Sequence, residues 1–104
     1  MFEDINFGSG IIVWNHDYNP EKKFDELWLD EDLFQVGYNH KNYYIIDVGW
    51  YPAFSQDGSF RIVIVENGNW NDFLYEKRTR DYKQLYKYME ECIDFIMSLA
   101  KSSN

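Results

Sequence analysis

Residues 79–101, TRDYKQLYKYMEECIDFIMSLAK, run without glycine or proline, and their periodicity decides the reading of the fold. Tyr82, Leu85, Tyr86, Met89, Cys92, Ile93, Ile96 and Leu99 recur at steps of three and four, which gathers them on one side of a helix. Lys83, Lys87, Glu90, Glu91 and Asp94 fall largely on the other side. Thr79 and Asp81 are the residue types that cap or lead a helix, because their side-chain oxygens accept from its first free N–H groups. A stripe this long must cover something, and in a chain of 104 residues a sheet is the one element large enough.

The segments upstream supply that sheet. Phe60-Arg61-Ile62-Val63-Ile64-Val65 is apolar on both faces except at Arg61, the pattern of an interior strand. Gln56-Asp57-Gly58-Ser59 is a turn signal before it, and Pro52 ends the preceding strand because proline has no N–H for a ladder. Leu33 to Tyr38, the turn Asn39-His40-Lys41-Asn42, and Tyr43 to Tyr51 read as a hairpin, with Tyr44, Ile46, Val48 and Trp50 on one face. Asn67-Gly68-Asn69 is a further turn, and Trp70 to Glu76 are expected to form another strand. Gly8-Ser9-Gly10 leads into a first strand at Ile11-Ile12-Val13-Trp14, whereas residues 21–32 fit a short helix or an irregular strand equally. The expected fold is α+β, an antiparallel β-meander of roughly four to six strands packed against a long C-terminal helix, in one domain over residues 1–104.

Hydrophobic residues make up 45% of the chain and aromatic residues 20%, which fits a packed core and excludes a disordered chain. A core of this size does not need every one of those rings, so some Tyr and Trp are expected at the surface, where interfaces favour them. The single cysteine, Cys92, excludes an internal disulfide and a cysteine-based zinc site, and its place in the helical stripe makes it a buried, inert thiol. Met1-Phe2-Glu3-Asp4 lacks the basic start and apolar core of a signal peptide, and the apolar runs are too short to span a membrane. The expected location is the cytoplasm.

Net charge is −8, and residues 1–59 carry all of it, with eleven acids and three bases, whereas residues 60–104 carry seven of each. That balance disfavours nucleic acid and anionic membrane as partners and favours a basic protein. It is also the balance of many acidic proteins that are merely soluble.

Catalytic and metal motifs are lacking. His16 and His40 stand in turn-like segments with no second ligand at a recognisable spacing, and Asp30-Glu31-Asp32 lacks the alternating ligands and central glycine of a calcium loop. There is no phosphate-cradling glycine loop or nucleophile elbow, and no cofactor is expected. Lys77, Arg78, Arg80, Lys83 and Lys87 form a basic cluster best read as a solvated helix start that offsets Glu76 and Asp81. The stretch from Asp25 to Asp32 is different: Asp25, Glu26, Asp30, Glu31 and Asp32 surround Leu27-Trp28-Leu29. It reads either as a solvated acidic loop with Trp28 tucked into the core, or as a binding edge. In the second reading the carboxylates pair with Lys and Arg while Trp28 supplies buried area, and the candidate contacts are Asp25, Glu26, Trp28, Asp30, Glu31 and Asp32.

Three elements, Ile46-Asp47-Val48-Gly49-Trp50-Tyr51-Pro52, Gly58-Ser59-Phe60-Arg61-Ile62-Val63-Ile64, and Trp70 followed by a helix near Thr79, resemble the immunity proteins of bacterial polymorphic toxin systems, including those of contact-dependent growth inhibition. The resemblance covers roughly residues 33–100. Trp70-Asn71-Asp72-Phe73-Leu74 departs from such families in carrying Phe73 where a proline is common. The resemblance implies a cytoplasmic, non-enzymatic protein that binds a cognate toxin domain, expected to be a basic nuclease, and blocks its active site. It also implies that Trp50, Tyr51 and Trp70 determine the fold and stay out of the interface. Two rivals accompany this reading: a mimic of nucleic-acid charge that inhibits a nucleic-acid-binding enzyme, and a small enzyme with paired carboxylates in a cleft. A structure with no concave site holding two facing carboxylates would dispose of the second.

Overall fold

The computed structural model describes residues 1–15 and 32–102. Five strands, β1 (Ile11–Asn15), β2 (Phe34–Asn39), β3 (Tyr43–Tyr51), β4 (Ser59–Glu66) and β5 (Tyr75–Thr79), precede one helix, α1 (Tyr82–Ser102). The strands lie in chain order and every neighbouring pair is antiparallel, so the expected α+β meander with a C-terminal helix is the architecture observed.

Register follows from the two-residue period. Tyr44, Ile46, Val48 and Trp50 of β3 are all buried, as their alternation requires. Val36, Ile46, Ile64 and Tyr75 form one cross-strand row from β2 to β5 on the helix side. The helix packs against β3, β4 and β5 and buries Leu85, Met89, Cys92, Ile93 and Ile96. Asp81 caps it: its Oδ1 accepts from the Lys83 N–H at 2.9 Å and its carbonyl from the Leu85 N–H at 3.0 Å. Burial holds the Cys92 thiol far above its usual pKa, which keeps it an unreactive core residue.

The helix leaves the β2 end of this face uncovered, and the first ten residues fill it. Phe2 meets Phe34 edge-on at 5.0 Å between centroids, and Phe7 stacks on Phe34 at 5.4 Å. The Tyr38 hydroxyl donates to the Phe7 carbonyl at 2.7 Å, and burial pushes its pKa up to about 12. Met1, Phe2 and Phe7 thus belong to the core. Their spacing matches no period, so pattern reading finds nothing there.

Two expectations are corrected. Residues 70–74 are not strand: β5 begins at Tyr75. Asn67 and Gly68 adopt positive φ of 51° and 76°, and the N–H groups of Asn69, Trp70 and Asn71 bond back to Glu66, Gly68 and Asn69. These local bonds use the groups a ladder would need. Trp70 is also not part of the core: it is 46% exposed, whereas Trp50 is 1% exposed. Trp50 is fixed by donating its indole N–H to the Ser55 carbonyl at 2.6 Å and by the Arg80 guanidinium 5.6 Å from its ring. Arg80 also donates to the carbonyls of Gly58 and Gln56, so this member of the basic cluster clamps the β3–β4 loop.

Candidate functional site

The sheet face opposite the helix carries Gln35 and Gly37 of β2, Tyr43, Ile45, Asp47, Gly49 and Tyr51 of β3, and Arg61, Val63 and Val65 of β4, as the register dictates. Toward β5 the 67–74 loop returns over it. Trp70 and Phe73 line a small recess with Asp47, Arg61 and Val63, which explains why Val63 is buried on a face without a helix. The Arg61 guanidinium lies 4.7 Å from the Phe73 ring centroid and 5.3 Å from that of Tyr51, while its Nε bonds Glu76 at 2.7 Å.

Toward β1, nothing among the described residues covers the face. Ile11, Ile12, Val13 and Trp14 are four consecutive apolar residues on the edge strand, with exposures from 49% to 71%. A bulge between Ile12 and Trp14 is the one edge-protecting device at β1 among the described residues. The opposite edge, β5, presents Glu76, Lys77 and Arg78, charges of the kind that blunt an edge against pairing. The sequence pattern identified β1 as a strand, but gave no sign that its apolar residues would lie outside the core.

Between the β1 edge and β3 lies a cleft of about 350 Å³ lined by Val13, Trp14, Asp32, Phe34, Gln35 and Asp47. The Trp14 indole N–H donates to the Asp32 carbonyl at 2.8 Å, which fixes the ring as one wall. Asp47 is partly buried, and its pKa rises from 3.8 to about 6. Desolvation is the first cause and the charge of Asp32 the second, opposed by Arg61 and by a hydrogen bond from Gln35. Arg61 is committed to Glu76 and two rings, so it compensates Asp47 incompletely.

Of the sequence-derived candidates, Asp32 is exposed and lines this cleft. Asp25, Glu26, Trp28, Asp30 and Glu31, like His16, lie outside the described residues. His40 sits with Nε2 3.2 Å from Ser9 Oγ and its ring 6.3 Å from that of Tyr38, an ordinary turn histidine. Asp47 is not among the sequence-derived candidates, although an acid inside a strand that is otherwise apolar or aromatic marks it. Among the described residues no group of three His, Cys, Asp or Glu side chains is placed to hold a metal, and no helix is long and apolar enough to cross a membrane. Comparison with protein-family models, with curated proteins and with solved structures finds no match.

Proposed function

We propose that this chain is an immunity-type inhibitor that binds a basic bacterial toxin domain, a nuclease by expectation, and blocks its active site in the cytoplasm. One observation carries the reading: the part of the chain that holds all of the net negative charge also exposes Ile11, Ile12, Val13 and Trp14 on a sheet edge. A protein interface combines an apolar, aromatic centre with charges that steer its partner. Carboxylates around exposed aromatic residues suit a partner rich in Lys and Arg, and such steering raises association rates by about 10–10³-fold. The test is to capture the partner on the tagged chain and then titrate its reaction with added chain. Loss of activity at an equimolar ratio supports the reading, and full activity in the saturated complex contradicts a blocking role.

A second reading has one observation in its favour. The cleft brings Asp32 and Asp47 into one concavity, and a carboxyl raised to about 6 is what a general acid near neutral pH requires. A small acid–base hydrolase is therefore the alternative. The binding reading is preferred because a small-molecule site does not account for four exposed apolar residues on the edge strand beside it. Hydrolysis of a model glycoside or ester by the wild type, abolished in Asp47→Asn, would favour the enzyme.

A further inference from the structure

We propose that the cleft between β1 and β3 is an arginine-accepting pocket, in which a guanidinium of the bound partner stacks on the Trp14 indole and bonds the carboxylate of Asp47. The inference rests on the reading of a basic protein partner and names the contact that reading requires.

The walls and the floor supply different parts of the chemistry. Trp14 offers a half-exposed indole whose orientation is set by its bond to the Asp32 carbonyl, so little side-chain freedom is lost when a cation stacks on it. Asp32 adds a second carboxylate at the rim, and Gln35 adds an amide. A planar donor fork fits an aromatic wall beside a carboxylate better than an ammonium does. The volume, about 350 Å³, accommodates a side chain of that size.

Charge balance points the same way. Among the described residues, the groups acting on Asp47 are Asp32, which precedes β2, Gln35 on β2, and Arg61 on β4. Arg61 is already engaged by Glu76 at 2.7 Å and held against Phe73 and Tyr51. Among the described residues the cleft thus holds one partly buried carboxylate, Asp47, and one exposed carboxylate, Asp32, and Arg61 is the cation that acts on Asp47. A guanidinium from outside adds positive charge beside Asp47 and forms charge-assisted hydrogen bonds that desolvation strengthens. The adjoining exposed side chains of β1 give an extended partner segment an apolar rim to lie against.

The probe is N-acetyl-arginine N-methylamide, with the citrulline analogue as its neutral isostere, titrated into isotopically labelled full chain. The Trp14 indole N–H and the Asp47 carboxyl carbon are followed by NMR, with the Trp50 indole N–H as a control for the fold. The arginine probe is expected to move the Trp14 and Asp47 signals and to bring the Asp47 titration midpoint below about 6. The citrulline probe should move neither. Asp47→Asn and Trp14→Ala should each weaken binding about tenfold, the equivalent of one charge-assisted or cation–π contact. Absence of shifts with the arginine probe, or equal shifts with citrulline, overturns the assignment. A captured basic partner that binds Asp47→Asn and Trp14→Ala as tightly as wild type removes the pocket but leaves the proposed function standing. A pocket that takes the arginine probe in a chain that captures no partner keeps the site and removes the function.

Discussion

Trp14 and Asp32 are joined by an indole N–H to carbonyl bond of 2.8 Å that fastens the end of the edge strand β1 to the start of β2. The bond has two consequences. It sets the indole as a wall of the cleft, and it holds Asp32 close enough for its charge to act on Asp47. Trp14→Phe keeps the ring and removes the donor. In that variant the Asp47 titration midpoint should fall toward its ordinary value of 3.8 as Asp32 is released, while the melting temperature changes little because Trp14 is half exposed. Carboxyl-carbon NMR against pH reads the first quantity and calorimetry the second. An unmoved midpoint would show that the bond does not position Asp32.

Asp47 makes stability depend on pH in a direction opposite to that of a salt-bridged carboxylate. Its folded pKa, about 6, lies above the unfolded 3.8, so its contribution is present in full below pH 3.8 and is lost as pH rises through 6. Fully expressed, the difference amounts to about 3 kcal/mol, and partial solvent exposure reduces it to about 1–2 kcal/mol. Asp47→Asn should therefore be more stable than wild type by about that amount at pH 7.5, with the gain shrinking toward zero near pH 4. Urea unfolding of both proteins across this range checks it. A variant less stable than wild type at pH 7.5 would contradict the sign.

The helix and the hairpin were legible in the sequence because each is fixed by a short period. The steps from Leu85 to Ile96 place a stripe, and the alternation from Tyr44 to Trp50 places a face. The core role of Met1, Phe2 and Phe7 was not legible, because those residues obey no period and are buried by closing a gap the helix leaves. Residues 70–74 belong to the stretch expected as strand, yet the Asn67-Gly68-Asn69 turn commits the following N–H groups to local bonds. Of the six residues singled out in the sequence, Asp32 alone can be placed, and the other five lie outside the described residues. Acidity and surplus aromatic residues pointed to a binding surface, and Asp32 lies on the cleft. Trp14 and Asp47 emerged only from the β1–β2–β3 register, since a one-residue bulge decides which side Trp14 faces.

Tyr38→Phe isolates the contact that ties the N-terminal segment to the sheet. The ring remains, but the Phe7 carbonyl loses the hydroxyl that donates to it at 2.7 Å in a buried setting. A cost of about 1–2 kcal/mol is expected in chemical denaturation. Exchange of the amides in residues 1–10 should quicken more than that of α1. Uniform loss of protection throughout the chain would argue that the contact is not local.

Two glycines separate a tight backbone site from a tolerant one. A Cβ at Gly58 would strike the Trp50 indole and come within 2.9 Å of the Tyr51 carbonyl oxygen, neither of which can move freely. A Cβ at Gly37 would meet the Tyr43 hydroxyl at 2.6 Å, the far end of an exposed side chain that can swing aside. Gly58→Ala should destabilise by about 2 kcal/mol or more and Gly37→Ala by less than about 1 kcal/mol, measured as paired melting curves. The reverse order would contradict the packing described for the β3–β4 loop.

The central claim is that a basic protein partner is drawn to this chain by charge, and affinity capture on the tagged chain from its native host, at low salt and at about 0.5 M salt, tests it most directly. The account predicts one basic partner, retained well at low salt and much less at high salt. Recovery of several unrelated nucleic-acid enzymes, or of no protein at either salt, would contradict it.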